Sequence, residues 1–238
     1  MKRYLSLICL VLIAMSVLLL RRDNSYVSSV KDSVSKSTIK KFVVVIDPGH
    51  GGFDPGKVGV NGELEKEINL SIAQKLKKFL ELNDCEVIMT RDTDEGLYSA
   101  SDSNKKSADM KKRVDIIRET NPDIAISIHQ NSFTQESSKG AQVFYHVDSK
   151  EGKEMAEIIQ EQLKKSLDDG NRRVAKSNDT YYMLKKSICP LVIVECGFLS
   201  NNTESKLLME EMYQEKVAWA IHLGVMNYLN NHLEESNK

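Results

Sequence analysis

The chain has 238 residues, 41% of them hydrophobic, and a formal net charge of -1. Lys2, Arg3, Arg21 and Arg22 fall in an N-terminal leader, which leaves 29 of the 33 basic groups against 34 acidic ones, a net -5. That length suits one domain with a substantial core, and the acidic balance argues against a nucleic-acid partner and against capture of an anionic polymer by bulk charge.

Residues 1–4 are basic, 5–20 form an unbroken apolar run and Arg21-Arg22 closes it, the pattern of an export signal or a membrane anchor. A helix of about sixteen residues falls short of a ~30 Å hydrocarbon core, so a span would rely on snorkelling arginines or local thinning. Small residues at 14–16 lie inside the run and those at 27–29 well beyond it, so an uncleaved anchor is favoured over a cleaved signal peptide. Either way the domain is expected outside the cytoplasm. Residues 23–41, rich in Ser, Lys and Val without a sustained period, read as a tether; 42–233 form the catalytic domain and 234–238 a polar tail.

Within the domain the pattern alternates. Strands are expected over 42–47, 85–90, 124–129, 141–146 and 191–195, and helices over about 65–82, 107–120 and 151–167, with a long C-terminal helix from about 203. The helices carry apolar stripes, such as Ile68, Ile72, Leu76, Phe79 and Leu80. This predicts an α/β domain built on a mostly parallel, twisted sheet flanked by helices. Two polar loops, 92–106 and 168–180, are candidates for the edge of a substrate groove. Of the four cysteines, Cys189 and Cys196 flank one strand and lie too far apart along extended chain to bridge, so free thiols are expected.

The five histidines separate by position. His222 and His232 belong to the terminal helix and His146 ends a strand at the sheet margin; these read as packed or solvated. His50 and His129 each end an apolar strand, the first in VVVIDPGHGG and the second in IAISIH, and Glu195 ends a third run, PLVIVE. In an open α/β sheet, ligands bind beyond the carboxyl ends of the strands, so these residues converge on one rim. Glu65, at the start of the helix that follows the Gly-rich loop, would complete the set, with Glu63 and Glu67 as rivals on spacing alone.

Two imidazoles and one carboxylate suit Zn2+, with the fourth tetrahedral position left for water, whose pKa falls to about 7. Glu195 would then be free for proton transfer to a leaving nitrogen. The reaction class is metal-assisted hydrolysis of an amide.

With these residues assembled, the sequence resembles the zinc-dependent N-acetylmuramoyl-L-alanine amidases of the Amidase_3 type. The matching blocks are VVVIDPGHGGFDPG, ELEKEINLSIAQKL, VIMTRDTD, DIAISIHQNS and YYMLKKSICPLVIVECGFLSN, in family order across most of the domain. The resemblance implies metal ligands at His50, Glu65 and His129, a catalytic glutamate at Glu195, and peptidoglycan as substrate, cut between the lactyl group of N-acetylmuramic acid and L-alanine. Gln130 stands where a small residue is usual and Arg173 where glycine is common; neither is expected to touch a ligand. A short, membrane-tethered domain without a wall-binding repeat is similar to the germination-specific amidases of spore formers, which act on cortex peptidoglycan toward muramic-δ-lactam. That likeness implies a forespore location, and the missing wall-binding module makes an accessory protein an expected partner. Rival readings are a zinc peptidase or deacetylase, which product analysis separates, and a non-catalytic wall-binding protein, which has no need of a spare glutamate.

Overall fold

The structure, a computed structural model, describes residues 41–167 and 170–236. The leader and all of the tether but Lys41 lie outside the described residues. Among the described residues no helix is long and apolar enough to cross a membrane.

Twelve elements follow in chain order: β1 (Val43–Pro48), α1 (Glu65–Glu81), β2 (Glu86–Met89), α2 (Lys105–Thr120), β3 (Ile124–Asn131), β4 (Gln142–His146), α3 (Lys150–Leu167), β5 (Lys176–Asn178), α4 (Tyr182–Lys186), β6 (Leu191–Phe198), α5 (Asn202–Met209) and α6 (Glu211–Ser236). The strands form one six-stranded sheet in the order β2-β1-β3-β6-β4-β5. All pairings are parallel except β4 with β6. The expected mostly parallel α/β architecture is therefore present.

The period of two along each strand separates two cores. Val44, Ile46, Ile126, Ile128, Val192 and Val194 face one layer, packed by α1, α3 and α6. Val45, Ala125, Leu191 and Ile193 face a smaller core under α2 and the short α4. Asp47, Ser127, His129 and Glu195 share the parity of that second set, so the polar end of this face continues the alternation begun in the core. Because α4 has only five residues, this face is left open above the strand ends.

The structure departs from the sequence reading in several places. The strand carrying His129 runs on to Asn131 through a register shift between the two, and that carrying Glu195 runs on to Phe198, so neither residue is terminal and Cys196-Gly197 does not turn the chain. The loop 168–180 contains β5, which makes β4 an inner strand and moves His146 off the margin. The expected C-terminal helix is two helices. Glu210 is extended (ψ 125°) and its carbonyl accepts from Tyr213 and Gln214, ending α5 and starting α6 without glycine or proline. Helix α2 begins two residues early, at Lys105, capped by the Asn104 side chain accepting from the Ser107 N–H. Cys85, Cys189 and Cys196 are free thiols.

Candidate active site

The loop that follows β1 is held by its backbone oxygens. Arg113, on the buried face of α2, donates to the carbonyls of Pro48 and His50, and Arg91 donates to those of Pro48, Gly49 and Lys66. Asn69 of α1 adds a bond to the Gly49 carbonyl at 3.1 Å. These donors account for each carbonyl of the Pro-Gly-His turn, so His50 can occupy the left-handed region at φ 63° without mobile chain around it. Gly49 is required for space: a Cβ there would lie 2.2 Å from the His129 ring.

Arg113 is itself anchored. It pairs at 2.7 Å with Asp47 at the end of β1, and both side chains are 2% exposed. Asp47 also accepts from Thr90 and Ser127, each at 2.6 Å. Burial opposes the Asp47 charge, but the guanidinium and the hydroxyl donors outweigh it and hold the carboxyl down at about 2. Breaking such a pair would leave a buried charge unmatched.

On this support three donors meet. His50, Glu65 and His129 each offer one ligand atom, all within 4.8 Å of one another. His50 Nε2 lies 3.2 Å from Glu65 Oε2, and His129 Nδ1 lies 3.0 Å from Glu65 Oε1. Three such atoms within one small span can meet a single ion, and two imidazoles with one carboxylate are a donor set that suits zinc. Asp54 takes the other His50 nitrogen, Nδ1, at 3.0 Å, which aims Nε2 at the shared point. Burial works against the charge of Glu65, yet the bonds from His129 and His50 hold its carboxyl far below the ordinary range. His129 is affected oppositely: burial would lower its pKa, and Glu65, with the charges of Glu195 and Asp47, raises it further than burial lowers it.

Glu195 sits directly across the sheet ladder from His129. It is 8% exposed, and its Oε2 is buried without a hydrogen-bond partner among the described residues. Burial is the largest influence and pushes its carboxyl up to about 7; His129 pulls it down and Glu65 adds to the rise. Two cavities, of ≈ 340 and ≈ 310 Å³, share His50, Asp54, Lys106, His129, Tyr181 and Glu195 in their walls. The first continues over Met110, Tyr182 and Ile193; the second continues over Lys57, Asn131 and Ser132.

All four sequence-predicted site residues are thus together, and Glu65 rather than Glu63 or Glu67 is the glutamate in the group. Among the described residues, the three other histidines stand apart. His222 meets Asn83 at 3.0 Å beside Phe79, His232 meets the Tyr228 carbonyl at 3.1 Å, and His146 lies 3.9 Å from Asp148. Gln130 corrects one expectation, because its backbone N–H donates to Glu65 Oε1 at 3.1 Å and so touches that carboxylate. Arg173 lies away from both cavity walls, stacked 4.4 Å over the Phe198 ring. Loop 92–106 reaches the cleft through Lys106, whereas for loop 168–180 it is the next residue, Tyr181, that does so.

The sequence reading missed Asp54, Asn69, Arg91 and Arg113. Arg113 was open to detection: it falls in the apolar spacing of Met110, Val114 and Ile117, where a charge needs a buried partner. Asp54, four residues beyond His50 in a glycine loop, carried no periodic signal.

An α/β domain that gathers two imidazoles, a buried carboxylate and a second buried acid at one edge of its sheet belongs to the class of hydrolytic enzymes with a candidate metal centre. The comparison of sequences makes this specific. The chain belongs to the N-acetylmuramoyl-L-alanine amidase family, whose model matches residues 44–227. It is similar to the germination-specific N-acetylmuramoyl-L-alanine amidase of Bacillus subtilis (strain 168), with 35% identity over 189 residues, 78% of this chain and 79% of the relative. The N-acetylmuramoyl-L-alanine amidase LytC of the same organism is 32% identical over 195 residues, 81% of this chain but 36% of that longer protein. Among solved structures, the CwlD amidase from Clostridioides difficile, in complex with the GerS lipoprotein, superposes with a TM-score of 0.78 at 42% identity, covering 80% of this chain and 99% of that one.

Proposed function

We propose that this amidase uses zinc held by His50, Glu65 and His129 to hydrolyse the amide joining the lactyl group of N-acetylmuramic acid to L-alanine in peptidoglycan, with Glu195 as the acid–base group. The observation that carries the reading is Glu195: a buried carboxylate with an unpartnered oxygen, paired in register with His129. A binding module would gain nothing from that desolvated acid. Zinc, when bound, would supply the Lewis acidity that activates water and polarises the acyl carbonyl.

The chain's own groups divide the rest of the work. Asp54 keeps the His50 Nδ1 proton engaged, fixing that ring's tautomer and direction. Glu195 accepts the proton that water loses as its oxygen bonds to the acyl carbon. The same carboxyl then returns the proton to the alanine nitrogen as the carbon–nitrogen bond breaks, leaving a free alanine amine and a lactyl acid whose remaining water proton ionises to solvent. Burial, which favours the protonated form of this carboxyl, helps it hold the proton between the two transfers. The apolar cavity wall of Met110, Tyr182 and Ile193 excludes water from one side of the reacting amide.

The similarity to a germination-specific amidase supports a role in spore cortex, toward muramic-δ-lactam, in an extracytoplasmic position such as the forespore intermembrane space, reached by an anchor or export signal in residues 1–22. The C. difficile amidase was solved with a lipoprotein, and we extend an accessory partner of that kind to this chain. The test is digestion of purified peptidoglycan with and without chelator. New N-terminal alanine with intact sugar chains, lost on chelation and restored by zinc, is expected. Release of amines from other positions, or of acetate, would replace the amidase reading with a peptidase or a deacetylase.

A further inference from the structure

Just outside the cleft, Phe53 leaves 53% of its surface exposed. The ring is nevertheless built in. It meets Tyr98 edge to face, with centroids 5.0 Å apart and planes at 84°, and the Phe53 N–H donates to the Tyr98 hydroxyl at 3.2 Å. Tyr98 lies so close over Gly96 that a Cβ there would stand 1.9 Å from its ring. Gly52, the residue before Phe53, donates to Asp94 Oδ1 at 3.1 Å, and Asp94 pairs with Lys66 of α1 at 2.6 Å. Lys105 completes the group, its ammonium 6.0 Å from the Phe53 centroid and 5.4 Å from that of Tyr98. The chain neighbours of Phe53 and Lys105 are Asp54 and Lys106, which line the cavity beside His50. The aromatic pair is therefore a fixed ledge one residue along the chain from the cleft wall.

We propose that Phe53 and Tyr98 form a stacking shelf for an N-acetylhexosamine ring of the glycan strand, next to the muramoyl residue whose amide is cut. This rests on the amidase reading, which puts a sugar on the acyl side of the scissile bond. A pyranose presents an apolar C–H face to an aromatic ring and polar groups at its edge, where the Lys105 ammonium donates. A stem peptide fits the ledge less well, because an extended peptide needs free backbone partners. Here the N–H groups of Gly52 and Phe53 are already engaged, and the Gly52 carbonyl accepts from Lys66 at 2.8 Å.

The test compares two substrates: a tetrasaccharide carrying stem peptides, and a single muramoyl peptide with no neighbouring sugar. The wild type is expected to show a lower KM for the tetrasaccharide. Phe53→Ala should shrink that preference by about three- to tenfold, the worth of one aromatic contact, and Phe53→Trp should restore it. Isothermal titration of the Glu195→Gln enzyme with chitotetraose gives a second readout, in which added Phe53→Ala should weaken binding by the same factor. An unchanged KM preference and unchanged chitotetraose binding in Phe53→Ala would overturn the shelf while leaving the amidase reading intact. Weakened binding of the free stem peptide instead of the sugar would overturn it in favour of a peptide site. A wild type that freed no alanine from either substrate would remove the amidase reading, and the shelf with it.

Discussion

At the scale of single residues the proposed reading separates holding a metal from moving a proton. Glu195→Gln keeps the shape of the side chain, and Glu195 makes no side-chain hydrogen bond to the three clustered donors, so the variant should retain zinc while kcat falls by about 10²–10⁴-fold, the usual worth of a general base. His50→Ala or His129→Ala removes a ligand and should lose the metal, read by elemental analysis after dialysis. A Glu195→Gln enzyme of near-normal rate would refute the assigned role. A subtler case is Gln130. Asn69 spends its amide hydrogens on the Gly49 carbonyl and, at 3.4 Å, on Glu65 Oε1, so its own oxygen must accept, and Gln130 Nε2 donates to it at 3.1 Å. This buried amide pair braces the Glu65 carboxylate from behind. Gln130→Ala should therefore weaken zinc by about tenfold in a chelator competition while the fold melts within a few degrees of the wild type. The two histidines and Glu195 were legible because each closes an apolar run. The supporting amides and arginines were not, because a buried polar side chain becomes conspicuous only once its partner from another element is known.

At the scale of elements, the regular helices and the central strands were readable from their periods, and the failures have physical causes. β5 is three residues of Lys, Ser and Asn, exposed at the sheet's edge, with no apolar pattern to announce it. The α5–α6 break rests on the backbone of Glu210 alone, and the ends of β3 and β6 are set by pairing with each other rather than by any local stop signal. The element junction that matters most is β1 with α2, through Asp47 and Arg113. The Asp47 carboxyl, held at about 2 against an ordinary 3.8, binds its proton less readily folded than unfolded. Its contribution to stability is thus complete above pH 3.8 and is lost as pH falls from there toward 2, on the order of 2 kcal/mol in total. Arg113→Met leaves that carboxylate buried without its cation and should destabilise the domain by about 3–5 kcal/mol at pH 7. Denaturant titrations at pH 7 and pH 3 check both. The wild type should lose stability between them, and the variant, its Asp47 no longer held low, should lose much less. Equal losses in the two proteins would place the acid sensitivity elsewhere.

At the scale of the whole molecule, the three clustered donors come from three separate places in the chain: the loop after β1, the first residue of α1 and the last turn of the β3 ladder. An ion bound by all three ties together segments up to 79 residues apart in sequence, from His50 to His129. Because the unfolded chain cannot present these groups together, any affinity for zinc is also folding free energy. At a free zinc concentration a hundred times its Kd, the linkage is about 2.7 kcal/mol, and for a domain of this size that corresponds to a rise in Tm of roughly 5–10 °C. Differential scanning calorimetry in chelator and in buffered zinc should show that rise in the wild type. Glu195→Gln should show the same rise although it turns over little substrate, since its carboxyl lies outside the donor group. His129→Ala should melt at one temperature in both buffers. This pattern separates the binding of the ion from its use, which an activity assay alone confounds. If His129→Ala gained as much as the wild type, zinc would be binding at some other place, and His50, Glu65 and His129 would have to be explained without it.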